Sequence, residues 1–268
     1  QRQMCIRDRL TGKRGEGKST LMGQLMAEAL NQGYKVLAYS GELPGYQFKR
    51  WLDFQLAGPQ NVLTTYNVYS DPKYSLGEGT VERLNRWYYD NAFLYDNNSL
   101  NGDEYESLLE TIEKAIQRYG VKLVCVDNLM TAIDVASADS QYIQQSQFVR
   151  SLKQIAVRYN VVVLLVAHPK KTEGKVTDND AVFGSSDITN RADIVLSYVK
   201  NPEGEPPGGK VFVLKNRMTG KLALGDGAVA MEYEPSSKRI CQAGSSPSYQ
   251  YGWERSPVEF GPADDLPF

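Results

Sequence analysis

Residues 12–19, Gly12-Lys13-Arg14-Gly15-Glu16-Gly17-Lys18-Ser19, satisfy the pattern G-x-x-x-x-G-K-[ST] at every fixed position. Each fixed residue has a chemical reason. Glycines let backbone N–H groups turn toward phosphate oxygens with no Cβ in the way. Lys18 sets a positive point charge on the terminal phosphates, and Ser19 offers a hydroxyl to Mg²⁺. Gly12, Gly15, Gly17, Lys18, Ser19 and Thr20 are therefore candidate phosphate-binding residues, with Ser19 doubling as a metal ligand. Two acids further along could complete such a site. Asp127 ends the apolar run "VKLVCVDN". An acid there either caps the strand or holds Mg²⁺ through a water, and the phosphate loop upstream favours the metal role. Glu42, in "YSGELPG", is either an exposed turn residue or a base that orients and deprotonates an attacking water.

These side chains need rigid carriers. The run "STLMGQLMAEALNQG" puts Leu21, Leu25, Met26, Ala29 and Leu30 on one helical face and stops at Gly33. The N-terminus of that helix adds a favourable partial charge toward phosphate. "YKVLAYS", "AFLYD", "VKLVCVDN" and "VVVLLVAH" read as strands, joined by further strands near 193–199 and 210–215 and by "AVAMEYE". Between them, "GYQFKRWLDFQLAG", "TVERLNRWYYD", "DEYESLLETIEKAIQRYG" and "QYIQQSQFVRSLKQIAVRYN" read as helices, the first with Phe48, Trp51, Leu52 and Leu56 inward. Residues 58–79, rich in Tyr, Gly, Pro and Asn, are expected to be irregular. Apolar strands alternating with helices predict an α/β fold, a mainly parallel sheet with helices on both faces. One place breaks the pattern. A phosphate loop normally follows a buried strand, but "MCIRDRL" is charged at Arg7, Asp8 and Arg9. The expectation is that residues 1–9 form a non-native or truncated leader and that only Leu10 and Thr11 join a strand.

The chain has 268 residues, 41% of them hydrophobic and 23% charged, which is enough for a sizeable core. No apolar run is long enough to cross a bilayer, and the start lacks a signal-peptide core. Cys5, Cys125 and Cys241 lack metal or disulfide spacing, so a reducing cytoplasm is the expected compartment. With a formal net charge of −2, a nucleic-acid site would have to be a local basic patch.

The ordered set "GKRGEGKST", "YSGEL", "LVCVDNL", "VAHPKK", "AVFGSSDITNRADIVL" and "KVFVLKNRMTG" resembles the ATPase domain of DnaB-type ring helicases, above all the phage and Twinkle-like branch. The resemblance implies a RecA-like P-loop NTPase core over 10–241, assembled as a homo-oligomeric ring, a hexamer, on single-stranded DNA, with ATP and Mg²⁺ between neighbouring subunits. It implies Glu42 as the catalytic base, Asp127 as the Walker B acid and His168 as a sensor of the terminal phosphate. Lys215 and Arg217, in "KNRMTG", match the basic pair that reaches into the neighbour's site, with Arg217 as arginine finger, a role worth about 10³–10⁵ in rate. Lys170, Lys171 and Lys175 fall in the loop with which the family grips the DNA backbone. Tyr233 falls near the aromatic that phage relatives stack on the base. Read without the family, His168 is a satisfied strand-end histidine, the Lys215–Arg217 segment a solvated hairpin, the lysine run a solvated loop, and Tyr233 a core or edge tyrosine.

The resemblance also implies an N-terminal domain and a linker helix that docks on the next subunit. Neither is in the sequence, so this chain is expected to form rings poorly. Residues 242–268, rich in Ser, Pro, Gly and Tyr, are expected to be a flexible acidic tail. Its end, "GPADDLPF", resembles the acidic, phenylalanine-terminated tips that recruit replication partners such as a polymerase or primase. Two other activities share much of this pattern: a RecA-type recombinase or recombination mediator, and a non-catalytic ATP-binding ring scaffold. Intact Lys18, Glu42 and Asp127 argue against the scaffold, and "KNRMTG" favours the helicase over the recombinase.

Overall fold

The computed structural model describes residues 7–11, 15–95, 107–128, 132, 138–167 and 191–254. Its helices are α1 (Lys18–Asn31), α2 (Gly45–Ala57), α3 (Glu78–Tyr88), α4 (Leu108–Tyr119) and α5 (Ala138–Tyr159). Its strands are β1 (Arg7–Thr11), β2 (Val36–Ser40), β3 (Val62–Asn67), β4 (Ser70–Leu76), β5 (Ala92–Leu94), β6 (Leu123–Asp127), β7 (Val162–Ala167), β8 (Ile194–Lys200), β9 (Gly208–Asn216), β10 (Val229–Glu234) and β11 (Arg239–Gln242).

Among the described residues one sheet runs in the order β11-β10-β9-β8-β1-β7-β6-β2-β5. From β8 to β5 every pairing is parallel, and β9, β10 and β11 add antiparallel strands at one side. The apolar runs explain the parallel part. Every residue of β2 and β6 is buried, as a strand covered on both faces must be. On one face α1, α2 and α3 pack Met22, Met26, Leu56 and Leu84 against Leu10, Cys125 and Leu164. On the other, α4 and α5 pack Ile112, Ile116, Leu152 and Ile155 against Val124, Val126 and Leu165. α4 is delimited by local chemistry: Ser107 and Glu110 form a reciprocal capping box, and Gly120 ends the helix in the left-handed region at φ 74°. No helix among the described residues is long and apolar enough to cross a membrane.

Three expectations need correction. β1 begins at Arg7, not Leu10, and lies in the middle of the sheet, pairing with β7 from Arg7 and with β8 from Asp8. The slot between two parallel strands carries two rows of backbone donors and acceptors, and filling it satisfies them whatever the side chains. The expectation that only Leu10 and Thr11 join a strand therefore fails at the backbone; residues 1–6 lie outside the described residues. Residues 62–76 are not irregular: β3 and β4 form an antiparallel hairpin separate from the main sheet, with Tyr66, Val68 and Tyr69 highly exposed near its turn.

The flexible tail expected from 242 is also ordered through Glu254. Tyr251 and Trp253 are buried, and the segment runs as a strap across α1 and α2. The hydroxyls of Tyr249 and Tyr251 meet Gln24 and Glu28 of α1, and Trp253 Nε1 donates to Leu56 O at 2.9 Å. Polar composition concealed three aromatic anchors whose rings bury area while their polar tips find partners. Residues 255–268, including Asp264, Asp265 and Phe268, lie outside the described residues.

Candidate functional site

The phosphate-loop residues lie where β1 gives way to α1, at the C-terminal edge of the parallel strands. Gly15 and Gly17 have φ of 77° and 93°, a region that L side chains rarely adopt, so the backbone favours glycine at the motif's fixed position 17 and also at its variable position 15. Gly17 caps α1, and its carbonyl accepts from Leu21 N at 2.9 Å. Lys18 is buried in the first turn, beside Ser19 and Thr20. Gly12 lies outside the described residues.

β2 and β6 bring the two acids to this loop. Their register pairs Ser40 with Asp127, and Gly41 N donates to Asp127 O at 2.6 Å, so the chain leaves β2 beside the end of β6. Leu43 N closes the turn onto Ser40 Oγ at 3.1 Å, with Glu42 between. Asp127, 1% exposed, accepts from Ser19 Oγ at 2.5 Å through Oδ2. Glu42 accepts from Asn128 Nδ2 at 2.5 Å through Oε1. A cleft of about 560 Å³ is lined by Gly15, Gly17, Lys18, Ser19, Thr20, Glu42, Leu43, Trp51 and Asp127. It thus joins an ammonium and backbone donors for phosphate to a hydroxyl and carboxylate for a metal, with a second carboxylate opposite. The pair Ser19 and Asp127 fits Mg²⁺, which keeps several waters and takes its remaining ligands from substrate phosphates. Among the described residues no three acidic, cysteine or histidine side chains form a cation cage of their own.

A second cleft of about 650 Å³ shares Gly15, Gly17 and Thr20 with the first and extends over Tyr198, Tyr233, Pro235 and the turn before β9. Burial pushes the Tyr198 hydroxyl up to about 12, with Glu16 and Tyr233 adding to it. Burial, then Glu234 and Tyr74, raise Tyr233. Both rings are neutral near pH 7. This placement allows a base to rest on Tyr233 while phosphates lie on the loop.

Lys215 and Arg217 line neither cleft. Arg217 N donates to Asp193 O at 2.9 Å, and its guanidinium stands 3.6 Å from the Asp193 carboxylate, which Lys153 approaches at 3.5 Å. Burial lowers the Lys215 pKa, with Arg217 and then Lys153 adding repulsion against the pull of Asp193. The register locates this cluster. Ile194, at the start of β8, pairs with Asp8 and with Asn216, whereas Thr11 pairs with Ser197. Arg217 therefore sits at the N-terminal edge of the parallel strands, roughly 13 Å along the sheet from the phosphate-loop end at about 3.3 Å per residue. Asn216 holds the turn, its Oδ1 accepting from Met218 N and Thr219 N, both at 3.1 Å. His168, Lys170, Lys171 and Lys175 lie outside the described residues.

The sequence reading missed Asn128 and Tyr198. Asn128 stood in the quoted "VDN", where a polar residue directly after a buried strand was the available signal. Tyr198 gave none, because it reads as one more apolar residue of β8.

No curated protein sequence matches the chain. Among solved structures, a DnaB-like replicative helicase, described with its interactions with primase, superposes with a TM-score of 0.67 at 16% identity, over 88% of this chain and 57% of its own. The chain thus spans little more than half of that relative. The ATPase domain of a phage helicase superposes with a TM-score of 0.67 at 16% identity, covering 88% of this chain and 84% of that one. The KaiC-like protein PH0186 from Pyrococcus horikoshii OT3 gives 0.59 at 14% identity, covering 89% of each chain. The likeness to DnaB-type ATPase domains is borne out in the fold, a RecA-like P-loop NTPase. A family model described as an AAA domain matches residues 7–174, more than half of the sequence and the whole of the loop, Glu42 and Asp127 constellation, and the chain belongs to that family.

Proposed function

We propose that this chain is the Mg²⁺- and ATP-dependent motor domain of a replicative DNA helicase that translocates on single-stranded DNA. The observation that carries the reading is the division of the site. Lys18, Ser19, Glu42 and Asp127 converge on one cleft, while Lys215 and Arg217 stand at the other edge of the sheet. A chain that keeps its basic pair away from its own cleft suits an assembly in which a neighbour supplies it, and ATP then lies between subunits.

In this mechanism Lys18 and the loop amides hold the triphosphate, and Tyr233 carries the base. Ser19 and Asp127 hold Mg²⁺, which when bound offsets phosphate charge. Glu42 orients a water and takes its proton as the oxygen attacks the γ-phosphorus, whose bond to the bridging oxygen breaks so that ADP leaves. Arg217 of a neighbouring copy offsets the charge that builds on the phosphoryl oxygens. Lys170, Lys171 and Lys175 contact the DNA backbone, and His168 senses the terminal phosphate. The likeness to the DnaB-like helicase and to the phage helicase ATPase domain supports the assignment through the fold. Contact with a polymerase or primase through Asp264–Phe268, and action in the cytoplasm, belong to the same reading.

The deciding experiment measures ATP hydrolysis with and without single-stranded DNA, and fork unwinding beside strand exchange. DNA-stimulated hydrolysis with unwinding is the expected result. Strand exchange without unwinding would make the chain a recombinase, and ATP binding without turnover would make it a scaffold.

A further inference from the structure

The residue that follows Asp127 acts on the same cleft. Asn128 is 2% exposed, although it follows the last residue of β6. Its Nδ2 donates to Glu42 Oε1 at 2.5 Å. Only the NH₂ end of a carboxamide can face a carboxylate in this way, so the contact fixes the orientation of both groups. The main chain is held as well, since the carbonyl of Asn128 accepts from Ala132 N at 3.2 Å. Two consecutive residues at one strand end therefore serve the two halves of the site: Asp127 receives the Ser19 hydroxyl, and Asn128 donates to Glu42.

We propose that Asn128 is the positioning residue for Glu42, setting the plane of its carboxylate toward the attacking water. The inference rests on the reading of Glu42 as the base. Glutamate has three side-chain torsions, and Glu42 stands in a turn beyond the end of β2, not on a regular element. Packing alone does not fix such a group, and an amide donor on one oxygen does. Asn128 does not line the cleft that Glu42 and Asp127 line, so it acts through Glu42 and not on the phosphates. An amide suits the task because it donates at every working pH and adds no charge beside Lys18 and Asp127, the charged neighbours of Glu42 in the cleft. Aspartate in its place would keep the volume, remove the donor and set a like charge against Glu42.

The test uses the full chain with saturating single-stranded DNA, and compares the wild type with N128A, N128D, E42Q and the double variant E42Q/N128A. Steady-state ATP hydrolysis gives kcat and KM, and a fluorescent ATP analogue gives affinity. A mispositioned base is expected to lower kcat by about 10- to 100-fold in N128A. Affinity should stay within about two-fold, because the group does not reach phosphate. N128D should lose at least as much. In the E42Q background, N128A should cost nothing further, since the group it positions is already inactive.

If thermal melting reveals that N128A is unfolded, N128D decides. Wild-type kcat in both Asn128 variants would overturn the proposal. So would a drop in the double variant equal to the drop in N128A alone, which is the signature of a merely structural residue. Wild-type turnover in E42Q would instead remove Glu42 as the base, and with it the premise. A dead E42Q beside an active N128D would sink the positioning role and leave the base in place.

Discussion

Lys18 and Glu42 occupy the same cleft but answer for different quantities. Lys18 is buried in the first turn of α1, and in the proposed mechanism its ammonium supplies the point charge for the terminal phosphates. Lys18→Ala should therefore abolish hydrolysis together with tight ATP binding. Glu42→Gln keeps the volume and loses the basic oxygen. It should leave nucleotide affinity near wild type and slow turnover about 10²–10⁴-fold. Equilibrium binding and single-turnover hydrolysis on both variants separate the two losses; full turnover in Glu42→Gln would move the base elsewhere. At this scale the sequence was most informative where one residue type is chemically compulsory. Gly17, Lys18 and Ser19 could be named because the loop admits only glycine, lysine and a small hydroxyl residue at those positions. Glu42 could not be separated from a turn residue on its own, since its meaning depends on β2 ending beside β6, a long-range pairing that no local pattern encodes.

The elements illustrate the same limit from the other side. Strands β2, β6 and β7 and helices α1, α4 and α5 could be read directly, because burial on both faces of a sheet leaves an unbroken apolar run and burial of one helical face leaves a period near 3.6. β1 could not, because three charged residues occupy a slot whose demand is for backbone partners. The strap was hidden for a related reason: its anchors are spaced among Ser, Pro and Gly. What holds it down is Arg239, fully buried between Tyr249 and Tyr251, with its guanidinium carbon 4.4 and 4.8 Å from the two ring centroids. It donates to the carbonyls of Gln55, Leu56, Pro247 and Tyr249. Gly58 gives it room, since a Cβ there would press on the guanidinium at 2.7 Å. Arg239→Met keeps much of the volume but strands the two buried carbonyls of Gln55 and Leu56 and the two half-buried ones of Pro247 and Tyr249. An unpaired buried polar group costs about 1–3 kcal/mol, so the net loss should be at least about 3 kcal/mol. Thermal melting should fall by roughly 6–12 °C for a domain of this size. An unchanged midpoint would mean that the strap adds nothing to the fold.

For the whole molecule, the separation of Arg217 from its own cleft makes a statement about assembly. In the ring proposed above, Arg217→Ala and Glu42→Gln should each disable every interface of a uniform assembly. In a mixture, some interfaces join an intact Glu42 to an intact Arg217, so activity should exceed the sum of the separate variants. The measurement is ATP hydrolysis across mixing ratios in assemblies whose mixed content is verified. A strictly additive result would place the finger within one chain. The lysine loop makes a second prediction at this scale. Replacing Lys170, Lys171 and Lys175 with Ala should weaken single-stranded DNA binding for all sequences alike. The log–log salt slope should become shallower by about 0.7 for each lysine–phosphate pair removed. An unchanged slope would locate the DNA on another surface.

The positions of the three tryptophans have a spectroscopic consequence. Trp51 lines the phosphate cleft, with the Lys238 ammonium 5.5 Å above its ring. Trp253 is buried beneath Arg83, whose guanidinium lies 5.0 Å from its ring, and Trp87 neighbours Gly252 of the same strap. The chain therefore carries two sets of intrinsic fluorophores in separate surroundings. Nucleotide entering the cleft should change the emission of Trp51 by altering the charge and water around its indole, while the emission of Trp87 and Trp253 follows the strap. Titrating ATP into the wild type and into Trp51→Phe checks this: the nucleotide-dependent signal should vanish in the variant while the unfolding-dependent signal stays. A nucleotide signal that survives the substitution would instead reveal that the strap itself moves when the cleft is filled.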